Sequence, residues 1–77
     1  MTHELKIEDS YYQNLQDNKK TAEVRYNDRD YQVNDSIWFT DLFGARRDRD
    51  VWIITHIHSG LGMAENYVVL SIRKIPR

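Results

Sequence analysis

The side chains with the clearest chemical potential lie between positions 18 and 25, which read Asn-Lys-Lys-Thr-Ala-Glu-Val-Arg. On a β-strand Thr21, Glu23 and Arg25 project from one face at intervals of about 7 Å. An arginine can hold a phosphate or carboxylate through two hydrogen bonds, and a glutamate between cations keeps its charge. With Lys20 they form a polar patch suited to an anionic ligand. The pattern alone also allows a solvated strand face with a weak ion pair.

A short helix is predicted directly before this patch. Asp9 and Ser10 supply an N-cap, and apolar residues then follow at helical spacing up to Leu15. Asn18 stands where the helix ends, a position that calls for a positive φ, which asparagine tolerates well. Two lysines follow at the negative end of the helix dipole, so the helix terminus is cationic.

Alternating or β-branched apolar residues predict the strands. The predicted segments are His3–Ile7, Thr21–Tyr26, a pair of strands flanking a turn at Asn34-Asp35, Val51–His58 and Tyr67–Ile75. Asn34, like Asn18, is expected to have a positive φ. The stretch from Thr40 to Asp50 is rich in charge and predicts a long, exposed, self-neutralised loop, although its arginines offer a phosphate clamp as the alternative.

The strand that carries the patch has two unlike faces. Ala22, Val24 and Tyr26 form an apolar face, which we expect to be buried, while the polar face should line a depression. One short helix among about five strands makes the chain an α+β protein with a single domain spanning residues 1–77. A curved sheet in so short a chain is expected to close into a small barrel, with the helix at one end.

The same segment resembles the signature of the ASCH domain family, a branch of the PUA-like superfamily. That signature is Gly-x-Lys-x-x-Glu-x-Arg, and Lys20, Glu23 and Arg25 match it, with Asn18 in place of the glycine. The opening strand and the run from Arg25 to Asp35, with its Arg-x-Asn-Asp-Arg-x-Tyr pattern, are similar to short bacterial and phage members. The resemblance covers essentially the whole chain and implies a PUA-like β-barrel with a cleft near the helix-to-strand junction.

Three functions follow from this resemblance and from the residues. The leading interpretation is a module that binds RNA or a nucleotide, in which Lys20 and Arg25 hold phosphate, Glu23 accepts hydrogen bonds from a base and Thr21 completes the cleft. The second is a small amidohydrolase acting on a modified nucleoside such as N4-acetylcytidine, with Lys20 as base; relatives with that activity have a threonine nucleophile where Glu23 stands. The third is a protein interaction module of phage or bacterial origin.

Composition excludes several other classes. The 77 residues contain no cysteine and carry 11 basic against 12 acidic side chains, so thiolate metal sites and a broadly basic nucleic-acid surface are ruled out. No apolar run is long enough to span a membrane, and no leader is visible, so we expect a cytoplasmic protein without a cofactor. His56 and His58 share a strand face but lack further ligands, which favours ordinary strand histidines over a metal site.

Two tryptophans are candidates for base stacking. Trp52 lies in the most β-prone segment and is expected in the core. Trp38 alternates with Ile37 and Phe39, which claim the opposite strand face, so both packing and stacking stay open for it.

Overall fold

The computed structural model describes residues 1–18, 21–60 and 62–76. Within these residues the elements follow the order β1 (Thr2–Lys6), α1 (Asp9–Gln16), β2 (Ala22–Tyr26), β3 (Ser36–Thr40), β4 (Trp52–His58) and β5 (Tyr67–Lys74). The predicted α+β class is confirmed, with a short helix between the first two strands.

The strands form one curled sheet, a half-barrel, in the order β1-β3-β4-β5-β2. β1 pairs with β3 in parallel, while the other neighbouring strands pair antiparallel. The strands that come first in the chain, β1 and β2, are therefore the two edges. Arg25 on β2 donates a hydrogen bond of 2.6 Å to the carbonyl oxygen of Lys6 on β1, so a side chain links the edges.

The core fills the concave side of the sheet beneath α1. Its fully buried side chains include Leu5, Leu15, Ile37, Ile54 and Leu70. Each such aliphatic side chain contributes about 1.5–3 kcal/mol through removal of apolar surface from water. The prediction of a core position for Trp52 is confirmed. Its ring packs edge-on against Phe39, which in turn contacts Tyr12 of the helix, so one aromatic row joins sheet and helix.

Both predicted asparagine turns are confirmed. Asn18 has φ 57° at the end of the helix and Asn34 has φ 78° before β3. However, the segment before Asn34 is not a strand, which corrects the prediction of strands on both sides of that turn. The Asp35 carboxylate accepts the backbone N–H of Gln32, and this bond closes a turn where a ladder was expected.

The prediction for the two faces of β2 is wrong in direction. Val24 and Tyr26 are 60% and 50% exposed, whereas Glu23 is only 5% exposed. Glu23 lies opposite Leu70 in the register with β5, and Leu70 is fully buried, so the polar face of β2 points to the interior. The carboxylate is tolerated there because it pairs with Arg25, which reaches across to β1.

The loop between β3 and β4 is exposed over residues 42–46, as predicted, but its second half is anchored to α1. Tyr12 of α1 donates its hydroxyl hydrogen to Asp48, and the Gln16 amide donates to Asp50 at 2.8 Å. Arg47 pairs with Asp9 at the start of the helix. The charged side chains at positions 47, 48 and 50 are therefore paired with α1, and these contacts fasten the helix to the loop. Among the described residues, no helix has the length and apolarity needed to cross a bilayer.

Candidate anion-binding site

A hollow of about 480 Å³ lies where β1 and β2 approach each other at the open side of the half-barrel. Its lining comprises Glu4, Lys6, Arg25, Arg29 and Thr40. Three of these side chains are cationic and one is acidic. The hollow exists because no backbone ladder joins the two edge strands within the described residues, and long side chains bridge the space instead.

Arg25 is held in place by hydrogen bonds that its Nε and Nη2 atoms donate to Glu23 and to the Lys6 carbonyl. Its Nε lies 3.1 Å and its Nη2 3.0 Å from Oε2 of Glu23, while Nη2 also donates to the Lys6 carbonyl. Among the described residues, no partner engages Nη1. Arginine carries five N–H donors in a fixed plane, so a guanidinium bound in this way can still present donors to an anion.

Glu23 is the support for this arrangement. Its side chain is 6% exposed, against 22% for Arg25, so the ion pair runs from the interior to the edge of the hollow. A carboxylate is costly to bury without a charged partner. The conformation of Arg25 is therefore fixed by its pairing with Glu23. The guanidinium is consequently ordered before any ligand arrives.

Lys6 and Arg29 bring further positive charge to the hollow. Lys6 is exposed on β1. Arg29 is half-exposed on the turn after β2, where its Nε lies 3.9 Å from Asp28 in a surface ion pair of little strength. Glu4 offsets part of this charge. The site therefore suits one anionic group of a small or flexible ligand better than an extended polyanion.

β1 is itself anchored by a buried acidic group. His3 donates from Nε2 to Asp35 at 2.8 Å, and both side chains are almost fully buried. This hydrogen bond, together with those from the Met1 amino group and the Gln32 N–H, outweighs desolvation and lowers the pKa of Asp35 to about 2. Asp35 thus stays ionised and fixes the start of β3 beside β1, which carries Lys6.

Two tyrosines near the core have raised pKa values, in contrast to the lowered pKa of Asp35. Desolvation, reinforced by the hydrogen bond to Asp48, raises the pKa of Tyr12 well above its usual range. Desolvation also raises the pKa of Tyr31, although nearby arginines oppose the shift. Both phenols are therefore neutral structural groups rather than nucleophiles or bases near pH 7.

Comparison with known proteins adds a family to this geometry. Residues 2–72 match the family described as Domain of unknown function (DUF3850). The chain belongs to this family. The matched range includes the whole lining of the hollow and the supporting Glu23. No curated protein matches the sequence.

The hollow of this DUF3850 domain contains some of the residues predicted from sequence. Arg25 lines it and Glu23 lies beneath Arg25. Thr21 is exposed just before β2, where its carbonyl accepts the N–H of Ile72, and its side chain is not part of the lining. Lys20 lies outside the described residues. Of the three predicted residues that the structure describes, it thus brings Glu23 and Arg25 to one place.

Sequence reasoning missed Glu4, Lys6 and Thr40 as neighbours of Arg25. Arg29 belongs to the Arg-x-Asn-Asp-Arg-x-Tyr pattern of the sequence, but nothing in the spacing placed it beside β1. The missing signal is topological, since only the sheet order shows that β1 and β2 form the two edges. Among the described residues, no cluster of three or more acidic, histidine or cysteine side chains has a geometry fit for a metal ion.

Proposed function

We propose that this domain binds the phosphate group of a nucleotide or a short RNA segment in the hollow between β1 and β2. The observation that carries the proposal is Arg25, whose guanidinium is oriented by Glu23 and by the Lys6 carbonyl at the edge of the cavity. Lys6 and Arg29 lie on the same lining and add positive charge for a phosphate. With few cations and no basic stripe, the affinity should be modest.

Trp38 supports a ligand that includes a base. It is the register partner of Glu4, which lines the hollow, so its ring lies on the strand next to the cavity. Trp38 is half-buried, and the Arg46 guanidinium lies 4.5 Å from the centre of its ring. Bases stack on aromatic rings and on guanidinium planes, so this pair offers a surface for a base whose phosphate occupies the hollow.

The resemblance to the ASCH family adds a second line of support. That resemblance implies a PUA-like domain that binds RNA or nucleotides near a helix-to-strand junction, and Arg25 lies on the strand after that junction. The burial of Glu23 against Arg25 also favours binding over the alternative of nucleoside deacetylation, because a carboxylate so enclosed is poorly placed to activate water.

The experiment is a titration of the protein with adenosine, adenosine monophosphate and a short single-stranded RNA at several salt concentrations. We expect the phosphate-bearing ligands to bind and adenosine to bind much more weakly. Arg25→Ala should lower the RNA affinity by about tenfold and reduce the slope of log affinity against log salt by about one.

Arg73→Ala is the matched control, because Arg73 is an exposed arginine outside the lining of the hollow. Equal affinities for wild type and Arg25→Ala would contradict the proposal. A parallel assay with N4-acetylcytidine tests the enzymatic alternative, and turnover with salt-independent binding would replace the binding function by hydrolysis.

A further inference from the structure

The outer face of strands β4, β5 and β2 differs from the rest of the protein surface. The strand register brings together eight outward positions in three rows. These are Tyr26 with Tyr67, then Val24 with Val69 and His58, then Ala22 with Ser71 and His56. We call this set the outer face. None of these eight side chains is a lysine, arginine, aspartate or glutamate, although 30% of the chain is charged. The next alternate position of β5 is the exposed Arg73, which borders the outer face.

Large apolar side chains at the end of the outer face nearest the β2 edge are open to solvent. Val24 is 60% exposed, Tyr26 50% and Tyr67 41%. The two tyrosine rings pack edge-on with their centres 5.4 Å apart, and this contact holds them in place beside the valines. Within the described part of the chain, no helix or loop covers these side chains. An exposed apolar patch that is contiguous and ordered is typical of an interaction surface.

The chemistry of the outer face selects its occupant. Nucleic acid is disfavoured, because binding a phosphate backbone needs several basic side chains, whereas the eight positions have none and only Arg73 borders them. A second copy of the same surface fits well. In a two-fold dimer the same patch of both copies is in contact, so a charged side chain would lie near its symmetry mate of the same sign. An uncharged apolar patch has no such electrostatic repulsion.

From these observations we infer that the outer face is the contact surface of a weak homodimer, in which the sheets of two copies pack face to face. The exposed parts of Val24, Tyr26 and Tyr67 amount to roughly 300 Å², the size of a typical functional patch. A stable interface buries roughly 800 Å² on each partner, so this smaller apolar patch, together with the polar positions beside it, supports a dimer that dissociates on dilution. The hollow between β1 and β2 plays no part in this association.

Sedimentation equilibrium between about 10 µM and 1 mM protein tests the inference. The weight-average mass should rise with concentration from 9.3 kDa towards twice that value. Val24→Lys should weaken the dimer at least tenfold by placing a charge against its symmetry mate. Val33→Lys is the matched control, because Val33 is 49% exposed but lies outside the three strands.

Circular dichroism should show that both lysine variants remain folded, and Tyr26→Ser provides a second, milder disruption of the same face. Backbone amide shifts that change with protein concentration should map to β2 and β5. A mass of one chain at every concentration would overturn the inference, as would equal loss of the dimer in Val33→Lys. A monomer whose outer-face amides shift with short single-stranded RNA would instead assign the face to nucleic acid.

Discussion

The two edge strands β1 and β2 both alternate apolar and polar residues, but they bury opposite faces. In β1 Leu5 points inward and Lys6 outward, and Ile7 directly after the strand is again buried, as alternation predicts. In β2 the apolar Val24 points to solvent, while Glu23 is buried. Alternation therefore identifies which residues share a face in both strands, but it identifies the inner face only in β1.

Both strands bury an ionisable group that is matched by a partner. His3 of β1 is bonded to Asp35, and Glu23 of β2 to Arg25. The difference is that His3 shares its face with apolar residues, whereas the polar face of β2 consists of the ion pair itself. An ion pair within β2 whose arginine also reaches the Lys6 carbonyl on β1 can replace apolar packing at this edge, because each charge satisfies the other.

The sharpest test of this comparison is truncation of one aliphatic residue on each edge. Leu5→Ala should lower the free energy of unfolding by about 2–5 kcal/mol, since it leaves a cavity in the core. Val24→Ala should change it by no more than about 0.5 kcal/mol, because Val24 is exposed. Urea denaturation of both variants measures the difference. Similar losses in the two would show that Val24 is packed.

The second test removes the ionic support of β2. Glu23→Ala leaves the Arg25 guanidinium without its main partner and should cost about 2–3 kcal/mol of unfolding free energy, less than for a fully buried pair because solvent reaches Arg25. Thermal and urea unfolding report the change. Glu65→Ala serves as the control at an exposed glutamate and should be nearly neutral. Stability equal to wild type in Glu23→Ala would mean that the pair does not hold β2.

The third test concerns the acidic anchor of β1. The pKa of Asp35 is lower in the folded protein, about 2, than its ordinary value of 3.8, so its contribution is complete above about pH 4 and is lost as the pH falls through 2. This corresponds to about 2 kcal/mol. Acid titration of stability should show a flatter curve for Asp35→Asn in this window, while Asp28→Asn at an exposed aspartate should match wild type.

The smallest effect is expected at the turn that leads into β3. Asn34 has φ 78°, a conformation that β-branched residues adopt only with strain. Asn34→Val should therefore destabilise the protein by about 1 kcal/mol, and Asn34→Gly should be nearly neutral. Differential melting of the two variants makes the comparison. A valine variant as stable as the glycine variant would contradict the assigned strain.

Local features of this protein follow from the sequence because they depend on neighbours along the chain. The helix, the strands other than the one wrongly predicted before Asn34, and the positive φ of Asn18 and Asn34 are set by residue spacing and by the backbone preferences of single residues. The core position of Trp52 belongs to the same class, since its segment is β-branched and aromatic throughout. The match to DUF3850 over residues 2–72 is likewise a property of the sequence.

Tertiary structure alone decided the rest. Sheet order placed β1 and β2 at the two edges, and this juxtaposition gave Arg25 its contact with Lys6 and created the hollow. It also turned Glu23 inward and Val24 outward, because the free energy of a buried side chain depends on partners that are distant in sequence. Hydrophobic alternation is a property of one strand, whereas the choice of inner face belongs to the whole sheet.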